Sequence, residues 1–235
     1  MSTTLPREQA ETAGGFPAGL TYTAYAAFRV SEAIADRPRG DLAAEAERVL
    51  TEPEGVAMRG AYATGGLRAD CDLLLWLAGP SAEALQDAQA ALRRTQLGGI
   101  LEPFWQAVGV HREAEFSKSH VPAFFAGETP RRWLCAYPFV RTPEWYLLSP
   151  DRRRELLIEH GRLGREYPDV RANTVSAFGL GDYEWLLAFE ADDVVRIVDL
   201  IRHLRAAEAR LYTKNELPFI TGIRKPLAEI LADLP

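Results

Sequence analysis

The sequence predicts an α+β protein made of two ferredoxin-like repeats whose antiparallel sheets pack face to face as a dimeric α+β barrel. Two observations carry this. The order strand, helix, strand, strand, helix, strand occurs twice along 235 residues, and a β-α-β-β-α-β unit is the ferredoxin-like motif, with its helices on one face of the sheet. The two passes recur with a period of about 112 residues, which sets Tyr25 on Tyr137, Asp70 on Asp182, Asp72 on Glu184, Leu74 on Leu186, Leu85 on Ile197 and Leu92 on Leu204. Composition agrees, since 47% hydrophobic and 26% charged residues describe an ordinary globular chain long enough to bury a large core.

Residues 1–19 hold no apolar core of signal-peptide length and read as a flexible tail. The first repeat, 20–116, is expected to run as strand 21–30, helix 41–51, strands 56–63 and 71–78, helix 82–95 and strand 104–116. Residues 117–131 form a linker with little regular pattern, and long linkers inside compact domains are often functional. The second repeat, 132–235, follows as strand 132–141, helix 151–167, strands 171–178 and 183–190, helix 193–211 and strand 217–223.

Charge and cysteine usage bound the function. A net charge of -6 and a pI near 5.4 argue against a nucleic-acid surface, which needs clustered lysine and arginine. An anionic ligand must therefore meet a local basic patch. No run of about 18 apolar residues offers a membrane span. Cys71 and Cys135 lie in apolar, strand-like runs without metal-ligand spacing, so buried reduced thiols in a reducing cytoplasm are expected.

The helix expected at 151–167 is the most informative stretch. Ser149, Pro150 and Asp151 make a start signal, by capping, by tolerance of the first position and by complementing the dipole; Pro168 is a stop. Leu156, His160, Leu163 and Tyr167 recur at spacings of four, three and four, so they share the inward face. Gly161 and Gly164 beside the histidine each cost about 1 kcal/mol relative to alanine, and something should offset that. Two readings stay open: a core histidine with glycines permitting close helix packing, or an imidazole reaching a flat, metal-bearing ligand laid against the backbone.

Of the other histidines, His203 in R-H-L-R reads as a surface or edge residue and His111 as an exposed strand end. His120, beside Val121, Pro122 and Phe124 in the linker, is either solvated or presented to a pocket by a folded-over loop. Tyr137, Phe139 and Arg141 alternate and so share one strand face, about 13 Å from end to end. Trp145 offers one N–H donor, and Arg141 can pair bidentately with a carboxylate. The plain alternatives are a core tyrosine and an edge-strand charge.

Several runs carry a resemblance: Y-P-F-V-R at 137–141, E-W-Y at 144–146, E-H-G-R-L-G-R-E-Y-P-D-V-R-A-N-T-V at 159–175 and G-D-Y-E-W at 181–185. The chain resembles the actinobacterial branch of the coproheme decarboxylases, within the chlorite dismutase-like haem proteins, over most of residues 20–222. That resemblance implies the α+β barrel and a coproheme site in the second repeat; the register of about 112 residues leaves the first repeat without one, since it sets Arg48 in the place of His160. It implies His160 as the proximal iron ligand, His120 as the distal base for hydrogen peroxide, Tyr137 as the radical-forming residue, and Arg141 with Trp145 near the porphyrin carboxylates. Iron coproporphyrin III would be substrate and redox centre together, with haem b as the product of two oxidative decarboxylations. A cytoplasmic homopentamer is implied as well. The alternatives are chlorite dismutase, which uses a distal arginine on the strand after the proximal helix where Arg171 and Asn173 lie, and a haem carrier without chemistry.

Overall fold

The structure, a computed structural model, describes residues 16–31, 34, 38–113, 115 and 121–234. In chain order the elements are β1 (Tyr22–Val30), α1 (Arg39–Thr51), β2 (Ala57–Ala63), β3 (Leu73–Gly79), α2 (Ala82–Arg93), β4 (Leu101–Val110), β5 (Trp133–Arg141), α3 (Pro143–Leu147), α4 (Pro150–Gly164), β6 (Arg171–Ser176), β7 (Trp185–Ala191), α5 (Val194–Leu204), β8 (Thr213–Asn215), β9 (Ile220–Lys225) and α6 (Leu227–Ala232).

Both halves have the ferredoxin-like strand order, β4-β1-β3-β2 and β9-β5-β7-β6, antiparallel throughout. Pairing of β2 with β9 and of β4 with β6 at Val110 and Ser176 closes eight strands into a barrel, and β8 extends β5 outside the ring. The barrel is filled by one face of each strand, with Tyr25, Trp76, Trp105 and Phe124 among its largest side chains. The opposite faces meet the helices, Leu73, Leu75 and Leu77 under α1 and α2, and Cys135, Tyr137 and Phe189 under α5. Because β3 is covered on both sides, L-L-L-W-L-A-G reads as a continuous apolar run rather than an alternation.

The repeat carries a slip at one strand. Tyr25 points into the barrel whereas Tyr137 faces the helices. Tyr25 pairs with Trp76, and Ala26 with Leu75, while Tyr137 pairs with Leu187. With Leu74 and Leu186 matched, Ala26 takes the place of Tyr137, and a one-residue slip exchanges the two faces of a strand. Arg48 likewise lies exposed on the outer side of α1, paired with Glu52, and does not take an inward place. The first half packs leucines and alanines of α1 directly on its sheet.

Other departures have local causes. β4 begins at Leu101 because Pro103 sits at a bulge, where the partners of Ala27 and Phe28 skip from Trp105 to Pro103. The helix expected over 193–211 stops at Leu204 and resumes as a 3₁₀ turn over Glu208–Tyr212. There the Glu208 amide donates to Glu159 of α4 and Ala209 is buried beside Trp145, so tertiary contacts override helix propensity. Phe16, expected within a flexible tail, is buried under the Arg59 guanidinium at 5.0 Å. α6 returns to the first half, where Leu227, Ile230 and Leu231 join its core.

Candidate active site

A cleft partly open to solvent lies on the helix side of the second sheet, and Tyr137, Phe139, Arg141 and His160 all line it. Ser149 caps α4, its Oγ accepting from the Arg152 amide at 3.3 Å. Leu156 and Leu163 are buried and pin the helix, so the half-buried His160 between them turns to the cleft. The strand parity expected for β5 holds: Leu134 and Ala136 fill the barrel, and Cys135 and Tyr137 face the helices.

Tyr137 is 6% exposed, stacked on Phe219 at 4.4 Å and tilted against Phe189 at 6.1 Å. Burial pushes its phenol well above the usual range; Cys135 and Glu216 push the same way, against Arg205 and Arg210. The hydroxyl therefore keeps its hydrogen at any ordinary pH. Arg141 is held between rings, 4.0 Å from Trp145 and 4.7 Å from Phe139, while its Nη1 donates to the Ala209 carbonyl at 2.9 Å. Burial lowers its pKa to about 10, against Tyr146, Glu184 and Glu216, so it stays cationic at neutral pH.

Trp145 sits elsewhere than a direct role requires. It is buried with Leu156 and Ala209, packs on Tyr212 at 5.7 Å, and is not part of the cleft wall. It reaches the cleft through the guanidinium it supports. His120 lies outside the described residues. The linker that follows it is tied into the barrel: Phe124 is fully buried, its amide donates to Asn173 Oδ1 at 2.8 Å, and the Arg131 amide donates to Glu190 Oε2 at 3.0 Å.

Residues 39–225 match the family model described as chlorite dismutase. This chain belongs to the chlorite dismutase family. It is 50% identical over 219 residues to the coproheme decarboxylase of Mycolicibacterium smegmatis, covering 92% of this chain and 95% of that protein. It is 28% identical over 153 residues to the coproheme decarboxylase of Staphylococcus carnosus, covering 58% of this chain and 61% of that one. The chlorite dismutase of Candidatus Nitrospira defluvii in complex with imidazole superposes with a TM-score of 0.80 at 21% identity, over 92% of this chain and 95% of that one, and shares the fold.

For a member of this family the surroundings of the cleft are informative. A Cβ added at Gly164 would meet no described atom within 4 Å, and at Gly161 only Arg165 Nη1 at 3.8 Å. Close helix packing does not explain these glycines, since the space beside them is open. Arg171 and Asn173 do not line the cleft. Asn173 is buried inside the barrel with its Nδ2 on Glu190, and Arg171 pairs with Glu128 at 2.7 Å, whereas Ala172 between them faces the helix side.

Three charged wall residues, Arg205, Arg210 and Glu216, are not foreseen from the sequence. In one continuous helix, positions five apart lie about 140° from each other, so Arg205 and Arg210 would not have shared a face; the break after Leu204 brings them together. His111 is not an exposed strand end: it packs on Phe125 at 4.3 Å. His203 is half-buried against the Tyr167 hydroxyl at 3.3 Å. Both cysteines are free and buried, and burial pushes the Cys135 thiol up to about 11. Among the described residues no group of three or more His, Cys, Asp or Glu could hold a metal, and no helix is long and apolar enough to cross a membrane.

Proposed function

We propose that this chain is a coproheme decarboxylase that takes iron coproporphyrin III as substrate and, with hydrogen peroxide as oxidant, converts two of its propionates to vinyl groups, yielding haem b. One observation supports this above the rest: a buried phenol and a helix-borne imidazole line a single cleft together with three guanidiniums, in a chain half identical to a coproheme decarboxylase.

Once bound, the iron porphyrin supplies the redox chemistry by which peroxide is reduced. His160 offers its imidazole nitrogen to the metal from the helix side. Leu187, Ile201 and Leu204 form an apolar wall that limits water. Arg141 offers its guanidinium to a propionate, anchored by Nη1 on the Ala209 carbonyl and held in place by Trp145. Tyr137 gives up a hydrogen atom, and its phenoxyl radical takes one back from the β-carbon of the adjacent propionate. That arm then loses a second electron and carbon dioxide, leaving a vinyl group. For each arm one peroxide and one proton become two waters, so two peroxides are consumed. His120 acts as the base that accepts a proton from peroxide. The work is done in the cytoplasm by a homo-oligomer, a pentamer, without nucleic-acid or membrane partners.

Chlorite chemistry would call on an arginine beside the metal from β6, where Arg171 is turned away and paired with Glu128. Tyr137→Phe separates the decarboxylase from a carrier. The variant is expected to bind coproheme with an unaltered Soret shift and to form no vinyl product; haem b at the normal rate would overturn the radical assignment.

A further inference from the structure

We propose that Glu216 is an internal stand-in for a substrate carboxylate, occupying the guanidiniums of Arg205 and Arg210 until an acidic arm of the porphyrin displaces it. The inference rests on the substrate reading above. Arg205 caps α5, Arg210 lies in the following 3₁₀ turn, and Glu216 follows β8; all three line the same cleft as Tyr137 and His160. One carboxylate oxygen, Glu216 Oε2, accepts from Arg205 Nη1 at 2.5 Å and lies 3.2 Å from Arg210 Nη2. The Glu216 side chain is only 15% exposed, against 39% and 38% for its two partners.

Two guanidiniums sharing one carboxylate leave positive charge in excess, and Arg141 on the same wall adds to it. Such a cleft attracts a polyanion. Exchanging one carboxylate for another keeps both arginines paired. Glu216 thus holds the site ready and competes with the substrate. An arm that has become vinyl can no longer compete, and Glu216 returns. Its chain neighbourhood connects it to the chemistry, because Phe219, three residues on, is the ring on which Tyr137 stacks.

The test is a fluorescence titration with metal-free coproporphyrin III, which carries four carboxylates and needs no iron ligand. Glu216→Gln should bind roughly five- to tenfold more tightly than the unaltered chain, the lower end of the usual coupling between competing events. Glu216→Asp, which keeps the charge but retreats by one methylene, should tighten less and serves if the amide variant folds poorly. In an Arg205→Gln/Arg210→Gln background the added Glu216→Gln change should alter affinity less than about twofold. Unchanged or weaker binding in both Glu216 variants overturns the proposal, including the case where both also melt earlier because Glu216 only braces the fold. Binding by the unaltered chain with no tightening overturns the stand-in alone. No porphyrin binding by the unaltered chain overturns the substrate reading as well.

Discussion

Tyr137 keeps its hydroxyl hydrogen because burial, not a hydrogen-bonded base, dominates its surroundings, as the hydrogen-atom transfer proposed above requires. At the same scale His111 makes a prediction about acid. Burial against Phe125 holds its pKa below the usual value, with Glu113 opposing and Arg112 adding to the shift. The unfolded chain protonates this imidazole near pH 6.5, so below about pH 7 the unfolded state binds more protons and stability falls; above that pH the residue contributes no slope. His111→Gln should therefore lose less melting temperature than the unaltered chain between pH 7.5 and pH 5. Equal slopes would contradict the assignment. Strand parity and helical spacing, which are local properties of sequence, place Tyr137, Arg141 and His160 on the faces that line the cleft. Arg205, Arg210 and Glu216 were not legible, because what brings them together is a helix break caused by contacts from α4.

Among the elements, α4 is the one whose sequence signals were clearest. Ser149 and Pro150 start the helix as expected, but it ends at Gly164 and not at the Tyr167 expected before Pro168; Tyr167 lies past the helix and packs against His203. Ser149→Ala removes the acceptor for the Arg152 amide and should cost about 1 kcal/mol in chemical denaturation, with porphyrin binding weakened less than the stability loss would suggest, since Leu156 and Leu163 still anchor the helix. A loss under a few tenths would show that the cap is idle. The short elements α3, β8 and α6 carried no comparable signal. α6 in particular forms because Leu227, Ile230 and Leu231 find the core of the other half, which no local pattern announces.

For the whole molecule, the twofold repeat made the barrel legible, while its closure depends on side chains whose partners lie far along the chain. Arg59, at a bulge in β2 between Met58 and Gly60, is carried into the interior over Trp76 at 4.9 Å and pairs with Glu190 of β7 at 2.7 Å, both side chains fully buried. Asn173 and the Arg131 amide complete the carboxylate. This pair joins the two halves and fixes the linker that leads from His120. Arg59→Leu leaves Glu190 buried and uncompensated, so a loss of about 3–5 kcal/mol is expected, read by denaturation; a change under 1 kcal/mol would show that the interior tolerates the lone carboxylate.

In the reaction proposed above, a flat iron tetracarboxylate enters the cleft between α4 and β5 and leaves with two arms shortened. Mixing the purified chain with iron coproporphyrin III and hydrogen peroxide and weighing the porphyrin by mass spectrometry tests it most directly. Two successive losses, each a carbon dioxide and two hydrogens, at the expense of two peroxides are expected. A porphyrin recovered at its starting mass, or degraded without vinyl groups, would contradict the account.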